Sequence, residues 1–285
     1  MLSIARLTFM EVFRKRIFLV TLLLSVLFIL LYGVALDFVS EELRTQSMRG
    51  SQLILQQIIG SQLLGAGLYF SSFLLALLAI MGSVGAIASE LENGLLHAVV
   101  SKPIPRREIV LGKFLGYGSM LAVYALVLYT AVLVLNQYYS PAVLSLLTAG
   151  GLISGALVFI LQPLVLLGVA LVFSTLLRTL AAGIISVILY GLGMIGGFLE
   201  QVGSAIANAS LINIGIATSL VMPSDALFRK MLTFVTGNEA NPLSSLSLGP
   251  FGVNVPPSNA MLVYTCLYIA ACVCLAVYSF ERKDL

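Results

Sequence analysis

An all-α integral membrane protein is the fold class this sequence predicts. It has six transmembrane helices with both termini cytoplasmic, an N-terminal amphipathic elbow helix, and outer re-entrant or interfacial helices between spans five and six. Composition is the first reason. Of 285 residues, 60% are hydrophobic and 9% are charged, against roughly 25% charged in a typical soluble domain. Mean hydropathy is +1.08. Fifteen basic and twelve acidic residues cannot cover a soluble fold of this length. A soluble enzyme, a nucleic-acid-binding domain and a disordered chain are thereby excluded.

The distribution of charge is the second reason. Residues 17–36, 50–89, 114–177 and 179–199 are charge-free, and 260–280 is continuously apolar. A spanning helix needs about 20 apolar residues. The run from 114 is too long for one span, and Asn136-Gln137-Tyr138-Tyr139-Ser140-Pro141 offers a turn inside it. Spans are predicted at about 17–36, 63–88, 114–135, 148–177, 180–199 and 260–280, all within a single transmembrane domain, 1–285. Unbroken runs fit helices, because barrel strands alternate over about ten residues.

Orientation is the third. Arg6, Arg14, Lys15, Arg16, Lys102, Arg106, Arg107, Lys113, Arg178, Arg282 and Lys283 fall on one side of this map, and Arg44, Arg49, Arg229 and Lys230 on the other. The positive-inside rule places both termini in the cytoplasm.

Taken along the chain, residues 3–15 form an amphipathic helix, with Ala5, Phe9, Val12 and Phe13 on one face. The apolar run that follows exceeds a signal-peptide core and lacks a small-x-small site. Residues 37–62 are half polar at helical spacing and read either as an outer interfacial helix or as the top of a long second helix. Residues 204–222 are uncharged but diluted by Asn208, Ser210, Asn213 and Thr218, which predicts a re-entrant pair rather than a seventh span. Pro223-Ser224-Asp225 opens a second outer helix, with Asp225 four residues before Arg229. Its apolar side is Leu227, Phe228, Met231, Leu232 and Val235. Residues 237–259 read as an irregular outer loop.

The largest cytoplasmic loop is 89–113. Leu95, Leu96, Val99 and Val100 share one helical face and need a partner protein or a lipid surface. Pro103 and Pro105 stop that helix near Ser101. Arg106, Arg107 and Lys113 suit the anionic inner leaflet.

The pattern Glu90-x-Glu92-Asn93-Gly94-x-Leu96, then Ser101-Lys102-Pro103-Ile104, Arg106-x-Glu108-Ile109 and Leu111-Gly112-Lys113, resembles the membrane permeases of type-2, exporter-like ABC transporters. It is most similar to NosY-like permeases. The six spans, the elbow helix, the outer Pro-x-Asp helix and the basic tail match as well. Leu95 departs from the family, which often has Thr there.

The resemblance implies that Glu90, Leu91, Glu92, Asn93, Gly94, Leu95 and Leu96 form the surface that couples to a separate ABC ATPase subunit. The glutamates would pair with basic residues on it, and the leucines would fill its groove. It also implies a second permease copy, a bacterial or archaeal plasma membrane, and an outward-moving cargo. An extracytoplasmic partner is a further implied contact.

No Gly-x-x-x-x-Gly-Lys-Ser/Thr loop is present, so no cofactor is expected on this chain, and ATP and Mg belong to the partner subunit. One histidine, His97, and three cysteines, Cys266, Cys272 and Cys274, offer no metal cluster, and no catalytic residue is expected. No charged residue lies mid-span in this map, which disfavours an ion-coupled transporter. Gln162-Pro163 sits mid-span four, where Gln162 either lines a substrate path or bonds the carbonyl that Pro163 frees. Gly193 and Gly197 give span five small-xxx-small spacing, for a permease–permease contact or for internal packing. Glu200 reads as the water boundary, with exit gating as the alternative. A non-transporting scaffold for enzyme maturation and a secondary transporter remain the other functional classes.

Overall fold

The computed structural model describes residues 2–45, 52–94, 105–139, 148–236, 253 and 256–283. Ten helices account for nearly all of them. The elbow helix α1 (Leu2–Arg14) breaks at Lys15 and is followed by α2 (Arg16–Thr45) and α3 (Gln52–Ser83). A turn over 84–87 leads to the short α4 (Ala88–Glu92). Then come α5 (Arg106–Tyr139), α6 (Ala149–Leu176), α7 (Thr179–Ala205), α8 (Ala209–Val221), α9 (Ser224–Thr236) and α10 (Ala260–Glu281). Six helices are long and apolar enough to cross a membrane: α2, α3, α5, α6, α7 and α10.

Helix α6 is the hub. It packs against α3, α5, α7, α9 and α10, so all its neighbours bury their inner faces on one apolar rod. Helix α2 shows the inverted logic of a lipid solvent. Leu19, Leu23, Leu30 and Leu31 face outward, while Thr21, Ser25 and Tyr32 are buried. The Thr21 hydroxyl donates back to the Ile17 and Phe18 carbonyls of its own helix, while those of Ser25 and Tyr32 find partners in α5. Ser25 and Tyr124 share a hydrogen bond, and the amide of Asn136 donates to Tyr32 Oη at 2.7 Å.

The ends of α2 and α3 settle the reading of 37–62. Residues 37–45 continue α2 and 52–62 begin α3, so this is the top of two long helices rather than a separate interfacial one. The turn predicted at 136–141 is corrected in part. Residues 136–139 stay helical, and Asn136 is buried with its amide bonded to Tyr32 and to the Val132 carbonyl. Residues 140 and 141 lie outside the described residues, as do Leu95 and Leu96 and nearly all of the predicted loop from 237.

Contacts across the bundle place the termini at one end. Arg106 donates to the Lys283 carbonyl at 2.6 Å, and Lys283 donates to the Thr175 carbonyl at 2.8 Å. Lys15 donates to Tyr117 Oη at 2.6 Å and pairs with Glu11 at 3.1 Å. The elbow helix also lies tight on α5, where a Cβ at Gly116 would strike Ala5 and Thr8. This is the end that the basic residues mark as cytoplasmic.

Helices α8 and α9 are bent 100° apart. Each has 13 residues, about 20 Å of length, too short for a bilayer core of about 30 Å. Their contacts trace a descent and a return. Leu211 lies against Gly203, Thr218 against Gly196 and Met222 against Gly193, so α8 runs back down α7 from its outer end. Then Asp225 meets Gly197, and the Phe234 carbonyl reaches Gly151 at the outer start of α6, so α9 climbs out again. The pair is therefore re-entrant. Glu239→Cys in a cysteine-free background is accordingly expected to react with an impermeant maleimide in intact cells. Protection from outside but reaction after permeabilisation would contradict this topology.

Ala207 forms the turn into α8 at φ 54°, a left-handed conformation that strains a residue with a Cβ. Asn208 then caps α8 by accepting from the backbone of Ser210 and Leu211. Ala207→Gly should relieve that strain and leave stability unchanged or raised by about 0.5–1 kcal/mol, read as the midpoint of a dodecyl sulfate titration.

Candidate functional site

Helix α4 is short, yet it is fixed at the cytoplasmic ends of three spans. At its start, two backbone N–H groups that no helical carbonyl can satisfy donate to Ser174 Oγ near the end of α6: Ile87 at 3.1 Å and Ala88 at 2.9 Å. In its middle, Glu90 pairs with Lys113 of α5 at 2.5 Å. That lysine is only 4% exposed, and it also donates to the Ala86 carbonyl. At its end, Glu92 accepts from the backbone N–H of Thr179 at 2.9 Å and from its hydroxyl at 3.1 Å. Thr179 opens α7, so the Glu92 carboxylate sits at a helix N-terminus, where negative charge is favoured.

Glu92, Asn93 and Gly94 are exposed, Leu91 is half-buried, and Gly94 takes φ 69°. That left-handed value suits glycine and turns the chain out of α4. Glu90 and Glu92 thus have partners inside the chain. The sequence pattern pointed to these glutamates, but their partners come from Lys113 and Thr179, residues 23 and 87 positions away. Leu95 and Leu96 lie outside the described residues.

Gln162 is buried in α6 and donates to Ser72 Oγ of α3 at 2.5 Å, not to a carbonyl freed by Pro163. Pro163 lies within an unbroken α6. Gly193 and Gly197 face the re-entrant pair. A Cβ at Gly193 would strike Met222, and one at Gly197 would strike the Asp225 carboxylate. These glycines let α8 and α9 reach the α7 backbone.

That approach creates a feature the sequence did not reveal. Arg229 is 1% exposed. Its Nη2 donates to Glu200 at 2.6 Å and its Nε to Asp225 at 2.9 Å. The Asp225–Arg229 spacing was legible in the sequence, but Glu200 was not. Glu200 is 8% exposed and lies in the last turns of α7, packed against α9 and paired with Arg229 rather than open to water. The protein interior thus holds a buried charged triad toward the outer end of α7. Helix α8 ends within the bundle. Its last carbonyls, Leu220 and Val221, which lipid could not satisfy, accept from Tyr264 at 2.5 Å and Tyr268 at 2.8 Å of α10.

Among the described residues, no cluster of His, Cys, Asp or Glu could hold a metal, and the three cysteines of α10 are free thiols. No curated protein matches the chain. The family profile described as ABC-2 family transporter protein matches residues 2–285. The finer likeness to NosY-like permeases rests on the loop residues alone. With the elbow helix, the six spans and the clamped cytoplasmic helix all inside that match, the chain belongs to the ABC-2 transporter family as a multi-pass membrane permease.

Proposed function

We propose that this permease moves its cargo outward across the plasma membrane of a bacterium or archaeon, using ATP hydrolysed on a separate ABC ATPase subunit that docks on α4. Two copies of the chain pair with two ATPases, and ATP and Mg reside on those subunits. The observation that carries this reading is the fixing of α4 to α5, α6 and α7 through Lys113, Ser174 and Thr179. A push on α4 reaches three spans through charged and backbone hydrogen bonds rather than through a flexible loop.

Within this reading, Leu91, Asn93 and Gly94, continuing into Leu95 and Leu96, meet the ATPase. Glu90 and Glu92 act chiefly as positioning residues that hold α4 on the spans. Gly193 and Gly197 keep the outer re-entrant pair seated, and Gln162 ties α6 to α3.

The buried Arg229 triad favours a second reading, an ATP-independent transporter that uses intramembrane charge. Affinity purification of the tagged full chain from native membranes separates the two. Co-purification of an ATPase with a Gly-x-x-x-x-Gly-Lys-Ser/Thr loop, and ATP hydrolysis that falls when this chain is removed, is expected. A chain that purifies alone and transports its cargo without ATP would overturn the first reading.

A further inference from the structure

The geometry points to a binding site for an alkylammonium group between α3, α7 and α9, in the outer half of the bundle. A cavity of about 130 Å³ lies there, room for about four groups the size of a water molecule. Its apolar lining is Met194 and Phe198 of α7, Phe228 of α9 and the ring of Tyr69 from α3. The Tyr69 and Phe228 rings stand 5.3 Å apart at 78°, so two aromatic walls meet at a corner. Gln201, Asp225 and Arg229 supply the polar lining.

The charge that a ligand meets here is negative. Asp225 leaves 11% of its side chain open and Arg229 only 2%, so the reachable group of that ion pair is chiefly the carboxylate. Glu200 lies outside the cavity lining, yet it too accepts from Arg229, at 2.6 Å. One guanidinium therefore serves two carboxylates, and the triad carries one negative charge in excess. Lys230, the next residue on α9, lies over the Phe234 ring instead. Charge buried without a counterion is unfavourable, and a cation in this cavity supplies one.

The lining selects which cation. A hard metal ion wants six or more oxygen ligands, more than Asp225, Gln201 and Tyr69 can bring. An alkylammonium fits both halves of the lining. Its N–H groups are donors for the Asp225 carboxylate and the Gln201 amide oxygen. Its charge is further favoured by aromatic rings, and its carbons lie against Met194 and Phe198. This site is independent of the ATP-driven reading, because binding is measured without an ATPase.

The test uses the full chain in dodecyl maltoside, a neutral micelle that attracts no cation, with saturation-transfer NMR and two probes of equal size, n-propylammonium and 1-propanol. Saturable binding of the ammonium is expected, with the alcohol at least about tenfold weaker, the loss of one charged hydrogen bond. Asp225→Asn leaves Arg229 paired with Glu200 and should weaken the ammonium about tenfold or more. Phe198→Leu, at a position 66% exposed, should weaken it about two- to fivefold, and Phe198→Trp should tighten it, both with helix content by circular dichroism unchanged. Displacement of the probe by added phosphatidylethanolamine assigns the site to a lipid head group, and no displacement assigns it to a soluble amine; the site stands in both cases. It is disproved by any of three results: no saturable ammonium binding to the folded chain; equal binding of the alcohol; or ammonium affinity that neither Asp225→Asn nor Phe198→Leu alters.

Discussion

Arg229→Met should be among the most destabilising single substitutions in this protein, at roughly 3–5 kcal/mol. The methionine fills the space, but Glu200 and Asp225 remain buried and face each other without the guanidinium that now bonds both. Breaking a buried ion network by removing one partner strands the others in a medium that cannot solvate them. Removing the charge altogether is different. Arg229→Met combined with Glu200→Gln and Asp225→Asn should recover most of the loss, because a neutral, well-packed replacement of a buried network is often close to isoenergetic. Dodecyl sulfate titrations of the purified single and triple variants read this directly. A single variant as stable as the wild type, or a triple variant worse than the single, would show that the triad does not hold the re-entrant pair.

The second large effect lies at the cytoplasmic end. Lys113→Met removes the buried amine that joins Glu90 to the start of α5 and leaves the Ala86 carbonyl without its donor. A charged hydrogen bond of this kind is worth about 1.5–3 kcal/mol, so ATPase stimulation transmitted through α4 should fall about ten- to a hundredfold while the two subunits still associate. Glu92 separates positioning from partner binding. If it works by capping α7 at Thr179, Glu92→Gln keeps an acceptor for that N–H and retains most of the stimulation, whereas Glu92→Ala does not. Equal losses in Gln and Ala would instead put the Glu92 charge on a basic residue of the ATPase. ATP hydrolysis by the reconstituted complex is the measurement for each variant.

Much of this architecture was readable in the sequence for a simple reason: in lipid, a charge-free run has few structural options other than a spanning helix. The six spans, the elbow break at Lys15 and the re-entrant pair all follow from where charge stops and polar residues dilute an apolar run. The Asp225–Arg229 pair followed from helical spacing. What stayed hidden depends on which helices meet. Glu200 and Arg229 lie 29 residues apart, and only the 100° bend between α8 and α9 returns Arg229 to α7. Asn136 read as a turn former because asparagine favours turns in water, yet inside the bundle Tyr32 supplies the partner that keeps it helical. The loop glutamates stood out as chemistry, but nothing local announced that Lys113 and Thr179 would claim them. Gly193 and Gly197 were legible as close-packing residues, and the identity of the packed element, Met222 and Asp225, was not.

The central claim is that α4 is where an ATPase delivers its work. Asn93 is exposed at the tip of that helix, and replacing it with a photoreactive benzoyl-phenylalanine leaves the contacts of Glu90 and Glu92 in place. Irradiation of native membranes, followed by mass spectrometry of the adduct, should identify an ABC ATPase attached at position 93. Adducts with lipid alone, or with proteins that carry no nucleotide-binding loop, would contradict the account.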